Sequence, residues 1–357
     1  MSETGIDASF FGSPDYVPVR RDVDIKSART ERGILPDAQK RLGRLLEKKG
    51  WEQIRDVVGG GKLPTLDEWV DYRITNRRGT NFFPSFIMDE RGKIFFLKTQ
   101  VSKDPVSLKS LANEATILKE FNEMGYPSPT FHEYGQGDGE TLAFIRLAAI
   151  TPDQGRVAAA ADWQEKHAIL AIKQIRKMEE ADLGLLPRKL TEMDAFQTKM
   201  SVTETMVDLV QRAGKYVPDE MRGRVGRLLE MGGEVRTVLA HGDMALKNIV
   251  IDNKGGVLPV DFESAKVGFL GQDAGKLLSD LRGNPEVFKV ALARYVDDGS
   301  GGIDQNRLRA LIIGMVTQHL VHIVWRADNR TMDAATLGEI KTFVEKIKDA
   351  LSIKELF

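Results

Sequence analysis

The chain has 357 residues, 42% of them apolar, enough to bury a core in two domains or one large two-lobed body. A formal net charge of -1 gives no basic excess for nucleic acid, and the absence of cysteine excludes disulfides and thiolate metal sites. The opening MSETGIDASFFGSPDY has no basic segment followed by a long apolar one, so no signal peptide is expected and the expected location is cytoplasmic.

Residues 1–66 read as an N-terminal extension. Residues 1–34 mix Gly, Pro, Asp and Arg without periodicity. Residues 36–58 predict a helix, with Leu42, Leu45, Leu46, Ile54 and Val57 as its apolar positions. Gly59-Gly60-Gly61-Lys62 then breaks it. This run lacks the spacing of a P-loop and the Ser/Thr after its Lys, so it reads as a linker.

Strands are predicted at 69–75, 82–88 and 94–99, the last two flanking the turn Asp89-Glu90-Arg91-Gly92. Lys98 ends an apolar run, and a buried lone ammonium is costly, so it needs an anionic partner. Glu114 is the natural one. It lies in a predicted helix over 108–124 whose Leu111, Ala115, Leu118 and Phe121 share a face. Further strands are expected at 130–134 and 142–147.

Helices are then predicted at 163–181, 190–213, 218–231, 285–297, 305–329 and 334–351. The apolar stretch 311–325 contains Thr317, Gln318, His319 and His322; it reads as too short and too polar to span a bilayer, and so as a buried helix. No membrane association is expected. His319, His322 and Arg326 fall near one face, and no Glu-containing zinc motif accompanies them. They read as buried or substrate-facing groups, and His167 as an ordinary surface or core residue.

The segment AHGDMALKNIVIDNKGGVLPVDFES, residues 240–264, carries the chemistry. Two short apolar runs around an Asn/Gly-rich turn predict a β-hairpin. Folding it about Lys254 and Gly255 sets Asn248 against Asp261, with Asp243 on the loop leading in. An Asn oxygen and an Asp carboxylate are hard ligands suited to magnesium. A further carboxylate, Asp243, would orient an acceptor hydroxyl and take its proton. The spacing matches that of a kinase catalytic Asp, an Asn five residues on and a later Asp-Phe-Gly. Here the two tripeptides are His241-Gly242-Asp243 and Asp261-Phe262-Glu263.

With those changes the segment resembles the aminoglycoside phosphotransferase and choline kinase-like family of small-molecule kinases, over about residues 67–330. The resemblance implies an α+β, two-lobed protein kinase-like fold: a small antiparallel β lobe (67–147) and a larger helical lobe (148–357), with ATP or GTP in the cleft. It implies Asp243 as base, Asn248 and Asp261 as Mg2+ ligands, Lys98 on the α- and β-phosphates and Glu114 positioning Lys98. Gly79-Thr80-Asn81 stands where the family has a reduced phosphate loop, or forms a simple turn. Backbone near Arg146, Leu147 and Ala148 would meet the purine. Asp273 matches the aspartate that braces the catalytic loop beside His241. Glu263 reaches a second metal or a nearby cation. Lys247 departs from the small residue of many relatives and either touches a phosphate or faces solvent. The acceptor is a small molecule bearing a hydroxyl: aminoglycoside-, choline- or sugar-like. The rivals are a protein kinase, which should carry a three-glycine loop and an Ala-Pro-Glu that this chain lacks, and a kinase-fold binding module without activity.

Overall fold

A computed structural model describes residues 39–54, 56–57, 61–62, 82–101, 105–137, 142–151, 154–197, 202–230, 234–330 and 332–353. The chain divides into two compact units. One comprises 1–159 and 249–263, the other 160–248 and 264–357, so the 249–263 segment groups with the sheet.

The first unit is built on a five-stranded sheet. Its strands are β1 (Glu52–Ile54), β4 (Phe82–Met88), β5 (Ile94–Val101), β6 (Phe131–Gln136) and β7 (Leu142–Ala148), with β2 (Asp56–Val57) and β3 (Gly61–Lys62) forming a separate small ribbon. The order is β1-β4-β5-β7-β6, and every pairing is antiparallel. Side chains alternate across a sheet with period two. Phe83, Ile87, Phe95, Leu97, Leu142 and Phe144 therefore share one face, which buries Leu42 and Leu45 of a helix over 39–49, here α1. The opposite face, with Lys98, meets α2 (Pro105–Glu123), whose Leu111, Ala115, Leu118 and Phe121 are all buried.

The expected helix over 36–58 is corrected here. It ends at 49, because Gly50 turns the chain with φ +64° and Glu52–Ile54 pair with Phe86–Met88. Ile54 thus lies in a strand, and so does Val57. The expected strand at 69–75 and the segment Gly79-Thr80-Asn81 lie outside the described residues.

The second unit is helical: α3 (Glu165–Glu179), the single turns α4 (Arg188–Thr191) and α5 (Asp194–Gln197), α6 (Val202–Ala213), α7 (Asp219–Glu230), α8 (Gln272–Leu281), α9 (Pro285–Val296), α10 (Gln305–Asn329) and α11 (Ala334–Ser352). The predicted continuous helix over 190–213 is broken. Leu190 and Phe196 pin the two turns into the core, and Glu234 accepts the Val202 amide at 2.8 Å, capping a fresh helix. Helix α10 runs through the centre, with Leu311, Ile313, Val316, Leu320 and Ile323 fully buried. By length and composition its 305–328 stretch passes as a membrane span, contrary to expectation, but 72% of the apolar window is buried, as in a core helix. Helix α8 packs on it closely. A Cβ on Gly275 would stand 2.6 Å from the Met315 nitrogen, and one on Gly314 2.1 Å from the Gly271 oxygen.

Candidate active site

In the sheet unit the site grows from Lys98 on the central strand. Its Nζ lies 2.8 Å from Glu114 Oε2 and 2.7 Å from Asp261 Oδ1, with Glu263 Oε2 at 3.9 Å. The partner predicted from the sequence is the partner found. Burial alone would lower the basicity of Lys98; Glu114, Asp261 and Glu263 outweigh it, and its pKa is raised. Burial also lifts the Glu114 carboxyl above the ordinary carboxylate range; Lys98 opposes this and Asp261 adds to it. The cluster sets one ammonium against three carboxylates.

Two of those carboxylates come from the end of the hairpin. Strands β10 (Ile249–Asp252) and β11 (Val257–Pro259) pair antiparallel, and β8 (Gly155–Val157) adds to β10. Ile249 pairs with Pro259, one residue short of the register that would set Asn248 against Asp261, so the turn is centred on Lys254 alone. Asp261 has φ +66°, the single non-glycine residue with positive φ among those described. Aspartate tolerates that region better than most residues, yet the conformation is strained and persists only where neighbours enforce it. Phe262 is the enforcing neighbour. It is fully buried and meets Phe121 of α2 edge-on, centroids 5.5 Å apart. The helix carrying Glu114 therefore also anchors the residue next to Asp261.

In the helical unit, β9 (Thr237–Ala240) pairs with β12 (Lys266–Phe269) and delivers the His241-Gly242-Asp243 loop. Asp273, in the first turn of α8, accepts the backbone N–H of His241 at 2.6 Å and that of Gly242 at 3.0 Å. This is the bracing expected from the sequence. Burial raises the Asp273 pKa to about 7, against the pull of those two amides. Gly242 has φ +83°, and a Cβ there would sit 2.0 Å from the Ser264 carbonyl oxygen, so only glycine fits. Asn248 donates its Nδ2 to the Asp243 carbonyl and to Asp243 Oδ2, both at 2.9 Å. Its Oδ1 is then the atom left to offer a cation.

Burial acts to raise the Asp243 pKa, but Lys247 and Lys276 prevail and hold it below the ordinary value. Lys247 Nζ is 3.2 Å from Asp243 Oδ2, so this exposed lysine is engaged by the Asp243 carboxylate. Glu263 meets the cation Lys98 at long range. Leu147 sits in β7 between Phe96 and Phe131, flanked by a strand on each side. Gly79 and Asn81 lie outside the described residues. Sequence reading missed Lys276, 3.7 Å from Asp243 Oδ1, and Asp280, which accepts the Leu246 amide at 3.1 Å. Both follow Asp273 at helical spacing, and that was the available signal.

Residues 86–311 match the model of the phosphotransferase enzyme family, APH. A search of curated proteins finds no match. Among solved structures, the chain is similar to a macrolide 2'-phosphotransferase type I at 14% identity and TM-score 0.55, covering 86% of this chain and 96% of that one. It is similar to APH(2")-IIia, solved with GDP and kanamycin, at 14% identity and TM-score 0.53, covering 76% and 92%. The macrolide 2'-phosphotransferase MphH from Brachybacterium faecium aligns at 16% identity and TM-score 0.51, covering 74% and 89%. These likenesses establish the kinase-like fold, an antiparallel sheet unit with a helical one. With its matched segment spanning more than half of its length, the chain belongs to the phosphotransferase enzyme family, small-molecule kinases that transfer phosphate to hydroxyl groups.

Proposed function

We propose that this protein moves the γ-phosphate of ATP or GTP to a hydroxyl of a small molecule, with Mg2+ as the counter-ion of the phosphates. The observation that carries this reading is the charge set around Lys98. One ammonium faces Glu114, Asp261 and Glu263, with one oxygen of each carboxylate within 4.8 Å of the others. The excess of two negative charges matches one divalent cation, and carboxylate and carboxamide oxygens suit magnesium. Asp261 and Asn248 would hold it, with Glu263 as a further oxygen. When bound, magnesium neutralises charge on the phosphate oxygens.

Lys98 binds the α- and β-phosphates, and Glu114 keeps its ammonium in place. Asp243 accepts the proton of the acceptor hydroxyl as the oxygen bonds to the γ-phosphorus and the bond to the nucleoside diphosphate breaks. The Asn248 amide fixes the Asp243 carboxylate, and two lysines keep it ionised. Thermal stabilisation by ATP or GTP that requires magnesium tests the nucleotide half of the reading; a protein whose melting ignores both nucleotides with and without magnesium would refute it. A kinase-fold binding module would take the nucleotide without consuming it.

A further inference from the structure

The face of the helical unit around Asp243 is basic. Its carboxylate is shared by two ammoniums, Lys247 at 3.2 Å and Lys276 at 3.7 Å. On α10 and α11 the His322 ring stacks on Phe343 with centroids 5.0 Å apart. The Arg326 guanidinium stands 4.5 Å from the centre of that ring and the Lys346 ammonium 5.5 Å. Arg326 is matched by Glu339 at 2.5 Å. Among the described residues no carboxylate forms an ion pair with Lys346 within 4 Å, although its charge acts on the Asp280 carboxyl.

One neighbourhood joins these groups. Burial first, then the charges of Lys276, Arg326 and Lys346, hold His322 down to about 4, and burial with Lys346, His322, Arg282 and Lys276 holds His319 to about 3. Both imidazoles are therefore neutral at pH 7 and add no compensating charge. Asp280 is the other carboxylate there; burial raises its pKa, and Lys276, the Leu246 amide and Lys346 oppose this. Three ammoniums thus surround two carboxylates, one of them the base.

We propose that the acceptor is an anionic hydroxyl compound, a sugar phosphate or a hydroxy acid, whose negative group is held by Lys276 and Lys346 while its hydroxyl meets Asp243. The inference rests on the phosphotransfer reading above and names its substrate class. A polycation such as kanamycin, or a quaternary ammonium such as choline, needs carboxylates in excess. Here the excess has the opposite sign, which acts as a repulsive element against such acceptors.

The test is nucleotide consumption by the full chain with magnesium and ATP or GTP. The phosphate arm compares ribose 5-phosphate and glucose 6-phosphate with ribose and glucose. The carboxylate arm compares glycerate with glycerol, and kanamycin and choline form the cationic arm. At least one anion should exceed its neutral counterpart by about 30-fold in kcat/KM, the scale of a lost hydrogen bond to a charged group, with the cations at background. Lys346→Met should raise KM for that anion by about 10-fold with kcat nearly unchanged, and Lys346→Arg should recover most of it. Unchanged melting of Lys346→Met, followed by differential scanning, shows that the variant folds. Anions and neutrals used equally, a cation preferred, or no anion used by a protein that binds nucleotide with magnesium would each overturn the inference and leave the nucleotide half of the reading standing. Failure to bind nucleotide at all would overturn both.

Discussion

Each unit buries one carboxylate close to the chemistry, and the two are compensated by different means. In the sheet unit Glu114, 2% exposed, is answered by the ammonium of Lys98. In the helical unit Asp273, 4% exposed, is answered by two backbone amides of the loop it braces. Burial is the main cause that raises both. The difference lies in what can move. An ammonium on a four-carbon stem can exchange one anionic partner for another, and Lys98 already contacts two. Two amides on a loop closed by Gly242 cannot. The sheet unit thus holds the charges that suit an exchangeable ligand, and the helical unit holds a fixed loop that suits a base.

Removing the proposed base should have the largest effect. Asp243→Asn should lower kcat by about 1000-fold, within the range for a positioned general base, with magnesium-dependent nucleotide affinity preserved. Steady-state turnover beside nucleotide titration checks this, and near wild-type turnover would remove Asp243 from its role. Next comes Lys98→Met, which leaves three carboxylates without their ammonium. It should lose about 3 kcal/mol of stability in denaturant unfolding, as when one partner of a buried pair is removed, and weaken nucleotide binding as well. Asp273→Asn should act more gently. The carboxamide keeps one acceptor oxygen for two amides, so one amide loses its partner at about 1–2 kcal/mol. It should lower kcat and leave nucleotide affinity intact. If Asp273→Asn weakened nucleotide binding as much as Lys98→Met, the contrast between exchangeable and fixed compensation would fail.

The parts of this site written in local spacing were legible in the sequence. Asp243, Asn248 and the hairpin follow from a short stretch of chain, and Lys98 with Glu114 follows from the need of a buried ammonium for an anion. The resemblance supplied Asp273. What escaped depends on contacts between distant segments. Helix α1 stops at 49 because residues 52–54 find β4, and no periodicity records that pairing. The amide of Val202, in the first turn of α6, is met by Glu234, more than thirty residues on. Lys276 and Asp280 lie at helical spacing from Asp273, but their meaning requires knowing which loop that face meets. The stacking of His322 on Phe343 joins two helices whose register the sequence does not give. The left-handed Asp261 was also invisible, since aspartate carries no mark of its φ.

The last expected effect is a pH dependence, and it separates the two buried carboxylates. A carboxyl whose folded pKa is raised keeps its proton over a range where the unfolded chain has released it. The stability it contributes is full below the unfolded value near 4 and is lost as pH rises through the folded value. For Asp273 that window runs from about 4 to about 7. Glu114, raised for the same first reason, acts in the same direction. Asp243, lowered, acts oppositely, and its stabilisation disappears only on acidification below the ordinary carboxylate range. Melting temperature should therefore decline between about pH 5 and pH 7.5, and Asp273→Asn should flatten part of that decline. A cation bound near Asp261 and Glu263 would favour ionised Glu114, so saturating nucleotide with magnesium should flatten the Glu114 share and leave the Asp273 share in place. If ligand and Asp273→Asn abolish the same share of the slope, the two carboxylates do not titrate independently, and the assignment of one to each unit falls.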